Sequence, residues 1–529
     1  MTTRLFRARW WRWGTTDTWF LAIVCLALRA VSLARACLSD DEAIYAVVAR
    51  EMLSGHVLYR DVVDHKPPLI YLVYAVTQAL GGPRGGMWLL HLLTIGVVLA
   101  TALLLGKILR ELGGTGIDAR APFFAALLYV VFTTTLLPFD SLAANCELYM
   151  MLPLTGSVLL FLRGAADSRV AVLAGAGALV GIAMLFKYQA GVQLVLYAGY
   201  LAMVHARRLG KALLGCAAVG GGLAAALAMG VAIMFRFGAL DAAWFWFRFN
   251  FSYIKTGLQP LESLARAAVR VSFVAGSAAF LWTLGLGAAL KSMTKRHAEG
   301  ESAPYLRFAA LWLALSAVAT TTGGRFFGHY FHQVTGPLAV LAAPAAAGLW
   351  RSRRHLVLAA MGVPALAFVL IGIFQGRVMA AAGKPEPDYG RMARLIDAHA
   401  GPDQGLVVWG NLPVLYFAAE RPLGTRFAFS NYQTGLSPAT RTQSDPNVDA
   451  SANIVPESWD MFSEDIATRK PAVIVDTSPG NVAEYGKFPP ARFPRLRDIL
   501  DRDYRPVGEV AGVRVLLRRR LALSEALRP

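Results

Sequence analysis

The sequence predicts a polytopic α-helical membrane protein, with about 11 transmembrane helices and a small C-terminal external α/β domain. Three observations carry that expectation. Of 529 residues, 56% are hydrophobic and only 16% charged, and the mean hydropathy of +0.47 is far too high for a soluble chain of this length. Apolar runs of about 15 to 25 residues recur, most of them long enough to cross roughly 30 Å of hydrocarbon as helices. Beyond residue 383 the composition becomes that of an ordinary soluble domain.

The runs fall at 17 to 37, 87 to 106, 121 to 138, 147 to 162, 170 to 186, 189 to 205, 212 to 235, 267 to 290, 308 to 322, 333 to 350 and 356 to 375. The arginines before the first (Arg4, Arg7, Arg9, Arg12) place the N-terminus in the cytoplasm by the positive-inside rule. Alternate loops carry the same signal, through Lys107, Arg110 and Arg120, through Arg207, Arg208 and Lys211, and through Arg351, Arg353 and Arg354. Ala34-Arg-Ala36 loosely matches a cleavage site, but the run before it is long for a signal peptide, so a retained signal anchor is expected. An odd number of spans then puts residues 384–529 outside. The expected organisation is a membrane domain over 1–383, with a large first external loop at 38–86, and an external domain over 384–529.

Charge and cysteines exclude other classes. The net charge of +18 lies almost wholly in the membrane part, because residues 384–529 hold 19 Lys and Arg against 18 Asp and Glu. Much of that excess sits in short loops, where it sets orientation and meets lipid headgroups. No basic stripe with base-reading chemistry is present, so no nucleic-acid partner is expected. Cys25, Cys37, Cys146 and Cys216 have no metal-ligand spacing; Cys37 and Cys146, on one predicted face, are the pair that a disulfide would join. Glycine stretches such as Gly175 to Gly181 lie inside apolar runs, without the strand and turn of a nucleotide loop, and fit close helix packing.

The first external loop has two helix-like pieces, 41 to 54 and 68 to 80, divided by Gly55 and Pro67-Pro68. The aromatic segment 244 to 253 is expected to lie on the membrane as an interfacial belt. In the C-terminal domain, Leu406-Val-Val-Trp409, Ala472-Val-Ile-Val-Asp476 and Val513-Arg-Val-Leu-Leu517 read as strands, alternating with helices near 389 to 399 and 493 to 502.

The same topology gathers the unusual polar clusters on the outer face. Ser39-Asp40-Asp41-Glu42 has a plain reading as a capping box, yet three successive acids at the outer end of a span exceed what a cap requires, and an intramembrane or membrane-edge acid is a functional candidate by default. Asp64-His65-Lys66-Pro67-Pro68 reads as a turn, but two rings of fixed φ also stiffen the backbone that carries the ammonium. Glu147 and Lys187 stand at outer helix ends, Lys187 equally well explained by snorkelling. Arg325-Phe-Phe-Gly-His329-Tyr330 supplies a guanidinium and an imidazole among aromatics.

These motifs together, Asp41-Glu42-Ala-Ile-Tyr45, Arg50-Glu-Met52, Lys66-Pro-Pro-Leu-Ile-Tyr71, Asn145-x-Glu147, Gly181 with Lys187, and His329-Tyr330, resemble the polyprenyl-phosphate-sugar-dependent glycosyltransferases of the GT-C fold, and in particular glycosyltransferase family 39. The resemblance spans roughly residues 15 to 380 and is strongest from 38 to 75. It implies a membrane glycosyltransferase that moves a sugar from a polyprenyl-phosphate donor to a hydroxyl of an envelope glycan, lipid or protein on the outer face of a bacterial inner membrane. It implies Asp41 as the catalytic carboxylate, with Glu42 beside it, and Lys66 as the donor-phosphate ligand, assisted by Arg325 or His329. Asp40, Asp64, His65, Tyr71, Glu147, Lys187 and Tyr330 are candidates to orient substrate or hold a metal, a divalent cation being left open as cofactor. Ile44 and His65 replace an arginine and a glutamate of the lipid A aminoarabinose transferases, which leaves the sugar unassigned. A transporter or lipid flippase is the alternative, although such proteins usually place binding charges near the bilayer midplane.

Overall fold

The computed structural model describes residues 13–113, 117–136, 140–255, 260–293, 303–381, 386–437, 440, 441, 443 and 445–519. Helices dominate the described residues up to 381: α1 (Thr15–Arg29), α2 (Asp40–Leu53), α3 (Leu69–Gly113), α4 (Ala121–Thr135), α5 (Cys146–Asp167), α6 (Val170–Met184), α7 (Gln193–Val204), α8 (Leu209–Arg236), α9 (Leu240–Lys255), α10 (Pro260–Ser277), α11 (Ala279–Lys291), α12 (Ala303–Thr320) and α13 (His332–Ile373). Every predicted apolar run overlaps these helices, the run 267 to 290 being divided between α10 and α11. Among the described residues five helical stretches are long and apolar enough to cross a membrane, or six if α10 and α11, bent by 101°, form one broken span; α4, α6 and Tyr305–Thr320 are apolar but shorter.

Two long helices are interrupted where the sequence dictates. In α3 the chain breaks at Gly82 (φ 68°), which takes a left-handed conformation just before Pro83, so the second predicted loop helix runs directly into the following span. In α13 the break is at Arg353, between the tenth and eleventh predicted spans. The glycines of α6 are used for packing: a Cβ on Gly177 would run into the Val219 carbonyl, and one on Gly222 of α8 into the Ala174 carbonyl, so the two backbones touch where neither carries a side chain.

The C-terminal part is a four-stranded sheet with helices. The strands β1 (Leu406–Trp409), β2 (Val473–Asp476), β3 (Tyr504–Val510) and β4 (Val513–Arg518) lie in the order β1-β2-β4-β3, with β1 and β2 parallel and the other pairs antiparallel. Helices α14 (Tyr389–Asp397), α15 (Pro456–Arg469) and α16 (Pro494–Asp503) accompany it. All residues of β1 and β2 are buried, which explains their continuous apolar runs. Two elements were not expected. Strand β3 contains Pro506 and Gly508 and has its register irregularity between them, both residues being weak strand signals tolerated at an edge. Helix α15 carries Trp459, Phe462 and Ile466 at helical spacing, a legible pattern in an otherwise polar stretch.

One apolar core runs from α2 and the start of α3 into this sheet, joining Tyr45, Tyr71 and Tyr74 with Val407, Val475 and Val515; a second fills the helical bundle. Polar bonds fasten the same junction. The Arg50 guanidinium donates to the carbonyls of Tyr416 (3.2 Å) and Arg421, the Glu51 carboxylate accepts from Leu423 N–H (3.0 Å), Val63 N–H donates to Arg426 O (2.8 Å), and Arg469 donates to Asp61 O (2.7 Å). Removing the shared donor by Arg50→Ala strands two carbonyls at a largely buried junction, at a cost of about 1–3 kcal/mol. The expected result is a lower unfolding temperature and faster protease release of the C-terminal part, while an unchanged digestion rate would show that the junction does not depend on Arg50.

Candidate active site

The site begins with how α2 starts. Ser39 Oγ accepts Glu42 N–H at 3.2 Å, as an N-cap does. The Glu42 side chain turns back into the protein and accepts Leu38 N–H (2.6 Å) and Ala144 N–H, with His91 Nε2 at 3.2 Å. Adjacent residues on a helix point about 100° apart, so seating Glu42 in the core turns Asp41 aside into a cavity of about 690 Å³. Among the described residues the Asp41 carboxylate has neither a hydrogen bond nor an ion pair.

The second motif is held just as firmly. Asp64 accepts His65 N–H (2.7 Å) and the Tyr71 hydroxyl (2.8 Å), and His65 Nδ1 lies 3.0 Å from the Tyr432 hydroxyl. Tyr59 donates to Lys66 O at 2.7 Å and Asn250 to His65 O at 3.0 Å. With its backbone tied on both sides and followed by Pro67-Pro68, Lys66 lines the cavity, and its ammonium makes no ion pair among the described residues. Burial lowers the Lys66 pKa, but the negative charge of Asp41, with smaller contributions from Tyr330, Cys146 and Asp64, outweighs it, so the amine is held well above its ordinary value and stays protonated. Burial would raise Asp64, yet the hydrogen bond and charge of His65, the Lys66 charge and the Tyr71 hydroxyl bring it below the ordinary carboxylate value. His65 is pushed down by burial, against the pull of Asp64 and with the charges of Lys66 and Arg325 adding to the fall.

A third group lies across the cavity. His329 Nδ1 is 2.7 Å from Asp140 Oδ1, its backbone N–H donates to the other Asp140 oxygen at 3.0 Å, and its Nε2 is 3.8 Å from Glu147. Glu147 in turn pairs with the Lys187 ammonium at 2.8 Å, which stands 4.8 Å over the Tyr330 ring.

The predicted residues therefore separate into two layers. Asp40, Asp41, Asp64, His65, Lys66, His329 and Tyr330 line the cavity. Glu42, Tyr71, Glu147, Lys187 and Arg325 do not: Glu42 fastens α2, Tyr71 holds Asp64, Glu147 and Lys187 neutralise each other, and Arg325 is buried. The oxygens of Glu42, expected beside the catalytic Asp41, and of Glu147, a candidate to orient substrate or hold a metal, already face backbone N–H groups, a histidine and an ammonium. Among the described residues no group of three His, Cys, Asp or Glu side chains is arranged to hold a metal ion. Cys37 and Cys146 are both free thiols, so the disulfide pairing is also set aside.

Sequence reasoning assigned no role to Asp140, and it missed two walls entirely. Helix α9 is only half a surface belt: Trp244 and Phe251 are exposed, whereas Trp246 is buried with its Nε1–H on Tyr59 O (3.2 Å), and Phe245, Arg248 and Phe249 line the cavity. The remaining wall comes from the C-terminal part, through Asn411, Tyr432, Arg441 and the segment 452–457.

The pKa of Asp64 sets a pH signature. Because the folded value lies below the ordinary 3.8, ionised Asp64 adds stability above that pH, and the contribution is lost as the pH falls through 3.8 towards the lowered folded value. Asp64→Asn is expected to lower the unfolding temperature at about pH 7, with the gap to the parent closing towards about pH 3. A gap independent of pH would contradict the ionised pairing.

Comparison with known proteins bears on the fold. Residues 65–237 match the family of dolichyl-phosphate-mannose-protein mannosyltransferases, a segment that includes the lysine-proline-proline motif, Asp140, Glu147 and Lys187. No curated protein sequence matches the chain. Among solved structures it is similar to ArnT from Cupriavidus metallidurans bound to undecaprenyl phosphate, with 16% identity and a TM-score of 0.60, covering 95% of this chain and 98% of that one. It is also similar to the Archaeoglobus fulgidus oligosaccharyltransferase in complex with Zn and sulfate (15%, 0.51, 89% and 69%) and to AglB of the same organism with an inhibitory peptide and a dolichol-phosphate (13%, 0.51, 93% and 72%). At such identities the likeness is one of fold. The chain is a multi-pass membrane protein of GT-C fold, and the matched segment, which carries the lysine-proline-proline motif, bears out the resemblance to the lipid-phosphate-dependent glycosyltransferases.

Proposed function

We propose that the chain is a glycosyltransferase that moves a sugar from a polyprenyl-phosphate donor to a hydroxyl acceptor at the outer face of a bacterial inner membrane, with its N-terminus cytoplasmic and residues 384–529 as an external domain over the site. One observation carries the reading: among the described residues Asp41 and Lys66, a half-buried carboxylate and ammonium, line one cavity with neither group paired to another side chain. Charges drawn out of water are ordinarily paired, and two left open towards the same space suit substrates that supply a proton and a phosphate.

In this reading the acceptor oxygen attacks the anomeric carbon as Asp41 takes its proton. The carbon–oxygen bond to the phosphate breaks, the electron pair leaves with the lipid phosphate, and the configuration inverts. Lys66 stabilises the charge that grows on the departing oxygen, a gain realised most strongly in the transition state. His329, fixed by Asp140, and Arg248 on α9 stand on the same cavity as further phosphate ligands. No step in this reading is routed through a metal ion. The undecaprenyl phosphate and dolichol-phosphate bound by the similar structures support the donor class.

The test uses membranes supplied with a polyprenyl-phosphate-linked sugar. Asp41→Asn is expected to lower turnover by about 10²- to 10⁴-fold, the usual cost of losing a positioned acid or base, with undecaprenyl phosphate still bound. Lys66→Met is expected to weaken that binding as well. Turnover near the parent rate in Asp41→Asn removes it as the base, and undiminished lipid-phosphate binding in Lys66→Met removes Lys66 as the phosphate ligand.

A further inference from the structure

The wall that the C-terminal part lends to the cavity has a chemistry of its own. Asn411 lies two residues beyond the carboxyl end of β1, is 9% exposed, and lines the cavity. Among the described residues its side-chain carbonyl is buried without a hydrogen-bond partner. Beside it, Asn431 accepts the Tyr485 hydroxyl at 2.7 Å and Asn453 donates to Ser437 Oγ at 3.2 Å. Among the described residues the Asn431 N–H groups and the Asn453 carbonyl are thereby left over. Phe429 and Tyr432 place rings on the same wall, 5.1 Å apart between centroids.

We propose that this wall is the acceptor subsite and that the acceptor presents a sugar ring to it, so that the hydroxyl attacking the donor is a carbohydrate hydroxyl. The inference rests on the glycosyl-transfer reading above and adds the acceptor's class. A buried amide that lacks a partner costs stability, and it is tolerated where a ligand completes it. Amides both donate and accept, which matches hydroxyls that do the same, and the rings offer flat apolar faces to the C–H side of a pyranose. The position fits as well, since ligands of parallel α/β sheets gather outside the carboxyl ends of strands, and β1 pairs in parallel with β2. An extended peptide would pair with a strand edge, but no residue of the four strands lines the cavity among the described residues, and the outer edge of β1 is already bonded to Pro422 and Gly424. The volume, about 690 Å³, lies in the range of about 300–1,000 Å³ usual for small-ligand sites.

The experiment takes the full chain in lipid nanodiscs loaded with undecaprenyl phosphate and titrates it with neutral oligosaccharides and, separately, with Ser- and Thr-containing peptides. The variant is Asn411→Leu, which keeps the volume and removes the amide. The expected result is saturable oligosaccharide binding, weakened about tenfold or more in the variant, with undecaprenyl phosphate binding and unfolding temperature maintained. Three outcomes overturn the proposal: peptides bound in place of oligosaccharides, oligosaccharide binding absent from the parent, or oligosaccharide binding unchanged in Asn411→Leu. If the parent fails to bind undecaprenyl phosphate at all, the donor reading itself falls, which distinguishes that failure from a wrong acceptor class.

Discussion

The arrangement depends on one buried carboxylate. Glu42 bonds the backbone N–H of Leu38 before α2 and of Ala144 before α5, and it meets His91 in α3. An acid so deep is costly unless its oxygens are satisfied, and here the groups that satisfy it belong to three separate segments, so the cost is offset only in the assembled fold. Tyr74 reinforces the junction by donating to Ala144 O at 3.1 Å, and Arg29 closes it from α1 with a 2.6 Å bond to Leu142 O. The loop that carries Asp140 is thus positioned by the same contact that turns Asp41 towards the cavity.

A second constraint comes from the C-terminal part. Its apolar core is continuous with that of the first loop, and its backbone groups are bonded by Arg50, Glu51 and Val63. The cavity therefore has two walls of different chemistry. Charged groups from the helical part face amides, rings and Arg441 carried by the segments around the sheet, and the Tyr432 hydroxyl reaches across to His65. In the proposed reading the first wall takes a phosphate and the second hydroxyls, and neither wall alone encloses either substrate.

Much of this was legible in the sequence because the signals are local. Apolar runs mark helices wherever the lipid or the core needs them, Ser39 and Glu42 announce a cap, and Pro67-Pro68 announces a stiff turn before a helix. What could not be read was which polar residues face the cavity and which stand behind it. Asp41 and Glu42 are neighbours with the same side-chain chemistry, and only the placement of Ala144 and His91, 102 and 49 residues away, separates their roles. Asn411 carried no signal because an asparagine after a strand is an ordinary turn residue; its exposure to a cavity depends on how the sheet docks. Strand β3 was hidden by its own Pro506, and the inward face of α9 by an aromatic pattern that suits a membrane surface equally well.

The two layers of charge explain why the open groups stay open. Lys187 and Glu147 neutralise each other, and Asp140 is taken by His329, so none of these is free to swing across and quench the cavity. Lys66 cannot retreat to Asp64, because that carboxylate is occupied by His65 N–H and Tyr71. Asp41 is left as the leading counter-charge for Lys66, acting across space without a bond. In the proposed mechanism an unbonded pair of this kind needs no reorganisation when a substrate arrives: the ammonium is already protonated for a phosphate, and the half-buried carboxylate is already open to a hydroxyl. A closed salt bridge between them would have been easier to bury, but it would have to break before either could act.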